Sequence, residues 1–218
     1  METINLFTIP MFKFKFDKHL EVKPVIMNYL VSEECEYPVN FNGLCITKPN
    51  LHQKKQFKEI KEFFEICLQQ SMTALGYYPN QQITSMWATK HENDGAHHKH
   101  QHENTFLVGV YYLHGNERSS GTILYNPLKL LINYIMPKKL PDNDSQKRIM
   151  NTNTINNFEE GTFIVFPSWI EHSTNNNNIE STKSERYILG VNSMPLGSTN
   201  RDPYNRFNYQ DISNIENW

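Results

Sequence analysis

His100 and His102 are separated by one residue in the run Asn93-Asp94-Gly95-Ala96-His97-His98-Lys99-His100-Gln101-His102-Glu103-Asn104, which holds four of the nine histidines of the chain. The run leads directly into the apolar stretch Phe106 to Leu113. In an extended segment alternate side chains share a face, so these two imidazoles can point the same way, and that is a metal-ligand arrangement. A pair cannot complete a site. The candidate third ligand is His172, in Gly161-Thr162-Phe163-Ile164-Val165-Phe166-Pro167-Ser168-Trp169-Ile170-Glu171-His172. There a buried strand ends at Pro167 and the histidine follows, a loop position held by a rigid element. Further on, Arg186 opens the strand Tyr187 to Asn192. Alternation puts Arg186, Ile188, Gly190 and Asn192 on one face. An arginine on an inward face needs an anion, and a carboxylate matches its fork best.

The neighbouring groups compete for these roles. His98 shares the face of His100 and His102 if the strand starts early. Glu103 is the nearest carboxylate, but on a strand it faces the other way. His91, His97 and His98 otherwise read as a solvated polar loop, and His19, His52 and His114 as surface residues. Trp87 and Trp169 read as core or rim aromatics, and Ser168 as a cap of the strand end.

Positioning these residues requires strands. Phe12 to Phe16 alternates apolar and basic residues and predicts a half-buried strand. Val22 to Leu30 predicts a short helix, and Glu33 to Asn50, with Pro38, Gly43 and Pro49, an irregular segment. A longer helix is expected from about His52 to Leu75, with Phe57, Ile60, Phe64, Cys67, Leu68 and Leu75 on its core face and Gly76 as its stop. Strands follow at Ile83–Lys90, Phe106–Leu113, Gly121–Tyr125, Gly161–Pro167 and Tyr187–Asn192. The segment from Pro127 to Glu160 interrupts the series, with a strand or short helix at Leu128–Ile135 and polar loops after it. The asparagine-rich runs 151–157 and 175–178 read as flexible loops. Helices followed by many short strands give an α+β domain on a double antiparallel sheet, a jelly roll.

The 218 residues make one domain: strand and helices over 1–80, a jelly-roll core over 81–195 with an insertion at 127–160, and a tail over 196–218. An aromatic content of 12% suits β-structure. A net charge of −2 gives no electrostatic case for nucleic acid or a membrane surface as main partner. Cys35, Cys45 and Cys67 form no CxxC pair and read as reduced thiols. With no signal segment evident, the expected location is cytoplasmic. Homodimer formation stays open.

The motifs together resemble the 2-oxoglutarate/Fe(II) oxygenases of the prolyl-hydroxylase type, and more closely a group carrying HxH. The pieces are His100-Gln101-His102, Gly109-Val110-Tyr111-Tyr112-Leu113, Gly121-Thr122-Ile123-Leu124, Phe166-Pro167-Ser168-Trp169-Ile170-Glu171-His172 and Arg186-Tyr187-Ile188. They span about half of the chain in this order. The resemblance implies a double-stranded β-helix with the N-terminal helices packed on one sheet. It implies Fe(II) and 2-oxoglutarate as cofactors, O₂ as cosubstrate, and hydroxylation of a substrate with release of succinate and CO₂. It implies His100, His102 and His172 as metal ligands and catalytic centre, and favours His100/His102 over His98/His100. Arg186 would clamp the distal carboxylate of 2-oxoglutarate, with Tyr112, Asn192 and Leu124 around the cofactor and Tyr111 on the packing side. The chain departs from the common HxD/E…H pattern, because His102 stands where a carboxylate is usual. Three imidazoles leave Fe(II) at 2+ and should weaken metal binding somewhat. Two other readings fit the residues: a three-histidine cupin-type dioxygenase that uses no 2-oxoglutarate, and a non-catalytic metal-binding jelly roll. Lys138, Lys139, Lys147 and Arg148 on the insertion read as a solvated loop.

Overall fold

Alternation in Phe12–Lys15 forms strand β1, whose phenylalanines face the core while Lys13 and Lys15 each reach Glu159 at 2.8 Å across the surface. The computed structural model describes residues 8–32, 44–91, 95–116, 119–128, 153–174 and 186–196. Helix α1 (His19–Ser32) buries Val22, Ile26 and Leu30, one side chain per turn. Strand β2 (Leu44–Ile46) and two short 3₁₀ turns (Leu51–Gln53 and Lys55–Phe57) lead into α2 (Lys58–Ala74). Helix α2 buries Ile60, Phe64, Cys67, Leu68 and Met72 at helical spacing, and Gly76 follows it with a positive φ of 81°. Each large apolar side chain so buried contributes about 1.5–3 kcal/mol.

The strands that follow are β3 (Gln81–His91), β4 (Leu107–His114), β5 (Thr122–Tyr125), β6 (Asn153–Asn156), β7 (Thr162–Pro167), β8 (His172–Thr174) and β9 (Arg186–Pro195). They form a six-stranded sheet in the order β1-β7-β4-β9-β3-β2 and a three-stranded sheet in the order β6-β5-β8, with every named pairing antiparallel. The two faces of the large sheet have separate tasks. Leu107, Tyr111, Phe163, Leu189 and Val191 pack beneath the helices. Val108, Val110, Tyr112, Ile164, Phe166 and Ile188 point toward the small sheet. This is the α+β double-stranded β-helix expected, with the N-terminal helices on one face.

Several local expectations fail. The long helix begins at Lys58, because the chain turns twice in 3₁₀ geometry first. Asn153–Asn156, expected as loop, is strand β6, recruited by β5 through pairs such as Ile123 with Ile155. His19 is buried, not on the surface: its Nδ1 lies 2.6 Å from the Tyr111 hydroxyl, and Glu160 is 3.4 Å from its Nε2. Cys45 is disulfide-bonded, so the expectation of three reduced thiols fails there and no longer argues for a reducing compartment. Among the described residues Cys67 is a free thiol; burial pushes it up to about 12, which makes it inert packing. Of the expected element at Leu128–Ile135 all but Leu128, and with it the four basic residues 138, 139, 147 and 148, the asparagine run 175–178, Cys35 and most of the tail, lie outside the described residues. Among the described residues no helix is long and apolar enough to cross a membrane.

Candidate active site

The site lies between the sheets, and backbone pairing builds it. His100 N–H donates to the His172 carbonyl at 3.0 Å, and His172 N–H donates back to the His100 carbonyl at 2.8 Å. His102 N–H donates to the Ser168 carbonyl at 3.2 Å. Ser168 in turn is fixed by its own N–H to Phe106 and its hydroxyl to the Thr105 carbonyl. The segment after β7 and the HxH segment therefore zip together, so residues 72 apart in sequence converge. One ligand atom from each of His100, His102 and His172 lies within 4.8 Å of the others.

The tautomers follow from the partners. His100 Nδ1 is 2.7 Å from the His98 carbonyl, His172 Nδ1 is 3.1 Å from the Ile170 carbonyl, and His102 Nδ1 is 2.6 Å from Asn192 Oδ1. Those oxygens only accept, so each Nδ1 carries the proton and each Nε2 keeps its lone pair. Burial, reinforced by the neighbouring imidazoles, pushes His172 down to about 3 and His102 to about 4. Burial also lowers His100. All three are neutral at pH 7, the form that ligates. His102 Nε2 is buried with no hydrogen-bond partner, an orphaned acceptor that a metal ion would satisfy. The donor set therefore fits a divalent transition metal held by three imidazoles. Glu103 is exposed and stands outside the cluster, and so does His98.

Arg186 is 2% exposed, the first residue of β9 and the cross-strand partner of His91 at the end of β3. Its Nη1 donates to His91 Nε2 at 2.9 Å. Its Nε and Nη2 are buried without a partner. Burial pulls the guanidinium down to about 10, so it is still charged at neutral pH. A buried cation with one neutral partner and two orphaned donors is costly unless an anion completes it. The orphans are Nε–H and the adjacent Nη2–H, the parallel edge that matches a carboxylate with two hydrogen bonds.

Arg186 and the histidine cluster face one cavity, whose walls include Thr122, Val110 and Ile188. A second, more open groove of about 380 Å³ approaches the histidines from outside, lined by Pro49, Trp87, Gln101, Glu103 and Asn192 among others. Trp87 lies between the two: its ring stacks on His102 with centroids 5.7 Å apart and lies over Gly190, where a Cβ would collide with the indole. Asn192 therefore holds the His102 ring and borders the outer groove. Tyr112 is fully buried between the sheets, but its one hydroxyl proton goes to Thr122 at 2.9 Å, and Asn156 donates to the same oxygen at 2.9 Å. Leu124 pairs with His172 across β5 and β8 and packs in the inter-sheet core, outside the lining of either cavity.

Two histidines assigned to a solvated loop belong here. His91 is 3% exposed and holds Arg186. His97 lines both cavities, with its ring centroid 4.1 Å from that of His100. His91 was readable had β3 been extended by one residue, since it then shares the Trp87 face. Nothing in the sequence marks His97, which is placed by the exchange of hydrogen bonds with Thr174.

Residues 85–189 match the family described as "Putative 2OG-Fe(II) oxygenase". That match covers just under half of the chain, and the fold is the jelly roll of the 2OG-Fe(II) oxygenases. The fold of the chain is similar to that of HygX from Streptomyces hygroscopicus with nickel, 2-oxoglutarate and hygromycin B bound, at 10% identity, 86% of this chain, 84% of that chain and a TM-score of 0.57. It is similar to the epimerase SnoN in complex with Fe3+, alpha ketoglutarate and nogalamycin RO, at 10% identity, 93% of this chain, 91% of that one and a TM-score of 0.60. A Pseudomonas putida prolyl-4-hydroxylase is similar at 12% identity, 85% and 92% coverage and a TM-score of 0.56. No curated protein matches the sequence. The family match and the fold support a metal-dependent oxidative enzyme of this kind. Its cluster of three histidines departs from the superfamily's usual two histidines and one carboxylate.

Proposed function

We propose that the protein is an Fe(II)- and 2-oxoglutarate-dependent dioxygenase that hydroxylates its substrate and releases succinate and CO₂. His100, His102 and His172 hold the metal through Nε2, and Arg186 grips the distal carboxylate of the cosubstrate. The observation that supports this reading most is the unpartnered Nε/Nη2 edge of a fully buried arginine that faces the same cavity as the imidazoles. Bound iron would supply the redox chemistry, activation of O₂ coupled to oxidative decarboxylation of the 2-oxo acid. The chain does the rest. Val110 and Ile188 are apolar walls that keep water from the cosubstrate's methylenes. Asn192 and the two carbonyls keep each imidazole turned with Nε2 inward. The outer groove, separated from the inner cavity by Trp87, admits the substrate.

One observation favours a second reading. Among the described residues no carboxylate joins the cluster, which suits a three-histidine dioxygenase that takes no 2-oxoglutarate. Such an enzyme needs no buried anion clamp, and Arg186 speaks against it. Anaerobic titration of the Fe(II)-loaded protein with 2-oxoglutarate separates the two. A weak visible charge-transfer band should appear, and Arg186→Ala should raise the dissociation constant by about 100-fold, the scale of a buried charged pair losing one member. Wild-type protein that binds Fe(II) and shows no band at millimolar 2-oxoglutarate would hand the site to the second reading.

A further inference from the structure

We infer that His91 is a positioning residue for the diacid: by occupying Arg186 Nη1 it aims the Nε/Nη2 edge at the distal carboxylate and so sets the selectivity for 2-oxoglutarate over shorter 2-oxo acids. This rests on the reading of Arg186 as the carboxylate clamp. The geometry that carries it has three parts. His91 and Arg186 are directly opposed on β3 and β9, so their backbones fix the spacing. His91 Nδ1 lies 2.9 Å from the Gly95 carbonyl, which can only accept, so the ring proton sits on Nδ1 and Nε2 is an acceptor. Arg186 Nη1 fills that acceptor at 2.9 Å, and the two nitrogens left without any partner, Nε and Nη2, form one parallel edge.

A guanidinium in a cavity can offer a carboxylate more than one edge. The edge between Nη1 and Nη2 points along the side chain, while the Nε/Nη2 edge points sideways from it. With Nη1 engaged by His91, the edge on which neither nitrogen has a partner is Nε/Nη2. It is also uncharged, so it does not compete for the positive charge as an aspartate in the same place would. The Phe158 ring, with its centroid 5.6 Å from Cζ, borders the guanidinium and gives its nitrogens no second acceptor. Gly95 ties the arrangement to the segment that continues to His97 and His100, so the clamp and the metal cluster share one stretch of chain.

The test compares two 2-oxo acids on the full-length, Fe(II)-loaded protein without oxygen. 2-Oxoglutarate has the distal carboxylate; pyruvate chelates the metal in the same way and lacks it. His91→Leu should weaken 2-oxoglutarate by about 10-fold, the scale of one hydrogen bond to a charged group, and leave pyruvate unchanged. His91→Gln, which offers an acceptor to Arg186 and a donor to Gly95, should restore affinity to within about 3-fold of wild type. Equal 2-oxoglutarate binding by wild type and His91→Leu would overturn the proposal. So would loss of both acids by the same factor, which marks a structural defect. If wild type itself fails to prefer 2-oxoglutarate over pyruvate, the clamp reading falls instead. Should His91→Leu not fold, ¹⁵N-histidine spectra of the wild-type protein decide: a proton on His91 Nδ1 with an accepting Nε2 supports the proposal, and a proton on Nε2 rejects it.

Discussion

Asn192 shows how one side chain can fix the chemistry of another. Its Oδ1 is 2.6 Å from His102 Nδ1, and under the proposed function His102 is the ligand that stands where a carboxylate is usual. Backbone carbonyls hold the other two imidazoles, and no substitution removes those. His102 alone depends on a replaceable partner. Asn192→Ala frees its ring to turn and to exchange tautomers. The expected result is a loss of about 10- to 100-fold in Fe(II) affinity, measured by competition with a chelator, with little change in melting temperature. Asn192→Asp should hold the ring at least as well and add negative charge near the metal, so its affinity should equal or exceed wild type. An Asn192→Ala protein that binds iron normally would remove His102 Nδ1 from the account. Arg186 is the complementary case: its proposed role follows from what it lacks, an acceptor for two buried nitrogens, Nε and Nη2.

The elements that carry these residues were legible to different degrees. Strands β4, β7 and β9 are apolar runs buried on both sides, and their alternation already placed Arg186 and Gly190 on one face. Strand β6 was missed, because Asn-Thr-Ile-Asn has little apolar signal and is a strand only through its pairing with β5. The same holds for His19, whose burial comes from packing of α1 on Tyr111 and not from its neighbours in sequence. The Glu160 cluster on the helix side of the sheet was not legible either. Glu160 accepts from Lys23 at 2.7 Å, from His114 at 3.0 Å and from the Gly115 N–H at 2.8 Å. Burial alone would raise its carboxyl, and these three donors outweigh that and hold it down at about 2. Burial lowers His19, so its contact to Glu160 is not an ion pair at neutral pH. A depressed carboxyl adds stability above its unfolded value near 4.3, and that stability is lost as pH falls through the folded value. Glu160→Gln should therefore melt below wild type at pH 7, with the gap closing as pH falls from about 5 toward 2. A gap that persists unchanged at pH 2 would mean that packing, not charge, is what the substitution disturbs.

At the scale of the whole molecule, the jelly roll keeps a charge where an apolar core would be more stable. The inter-sheet space is otherwise closed by Val108, Val110, Ile164, Phe166 and Ile188, and Arg186 interrupts it. Hydrophobic burial is the main source of stability for such a core, while an unpaired buried cation costs several kcal/mol. Stability and function should then part at this position. Arg186→Met keeps the volume, removes the charge and leaves His91 Nε2 as the lesser orphan. The expected outcome without ligand is a melting temperature equal to or above that of wild type, by up to several degrees, with 2-oxoglutarate binding weakened by about 100-fold as in Arg186→Ala. Wild-type protein should regain the difference when loaded. A ligand at 100 times its dissociation constant stabilises by about 2.7 kcal/mol, which in a domain of this size raises the melting temperature by roughly 5–10 °C. Differential scanning calorimetry of both proteins, each with and without Mn(II) and 2-oxoglutarate, reads all four values. A structural arginine predicts the opposite pattern: Arg186→Met melts well below wild type, and the ligand shifts neither protein.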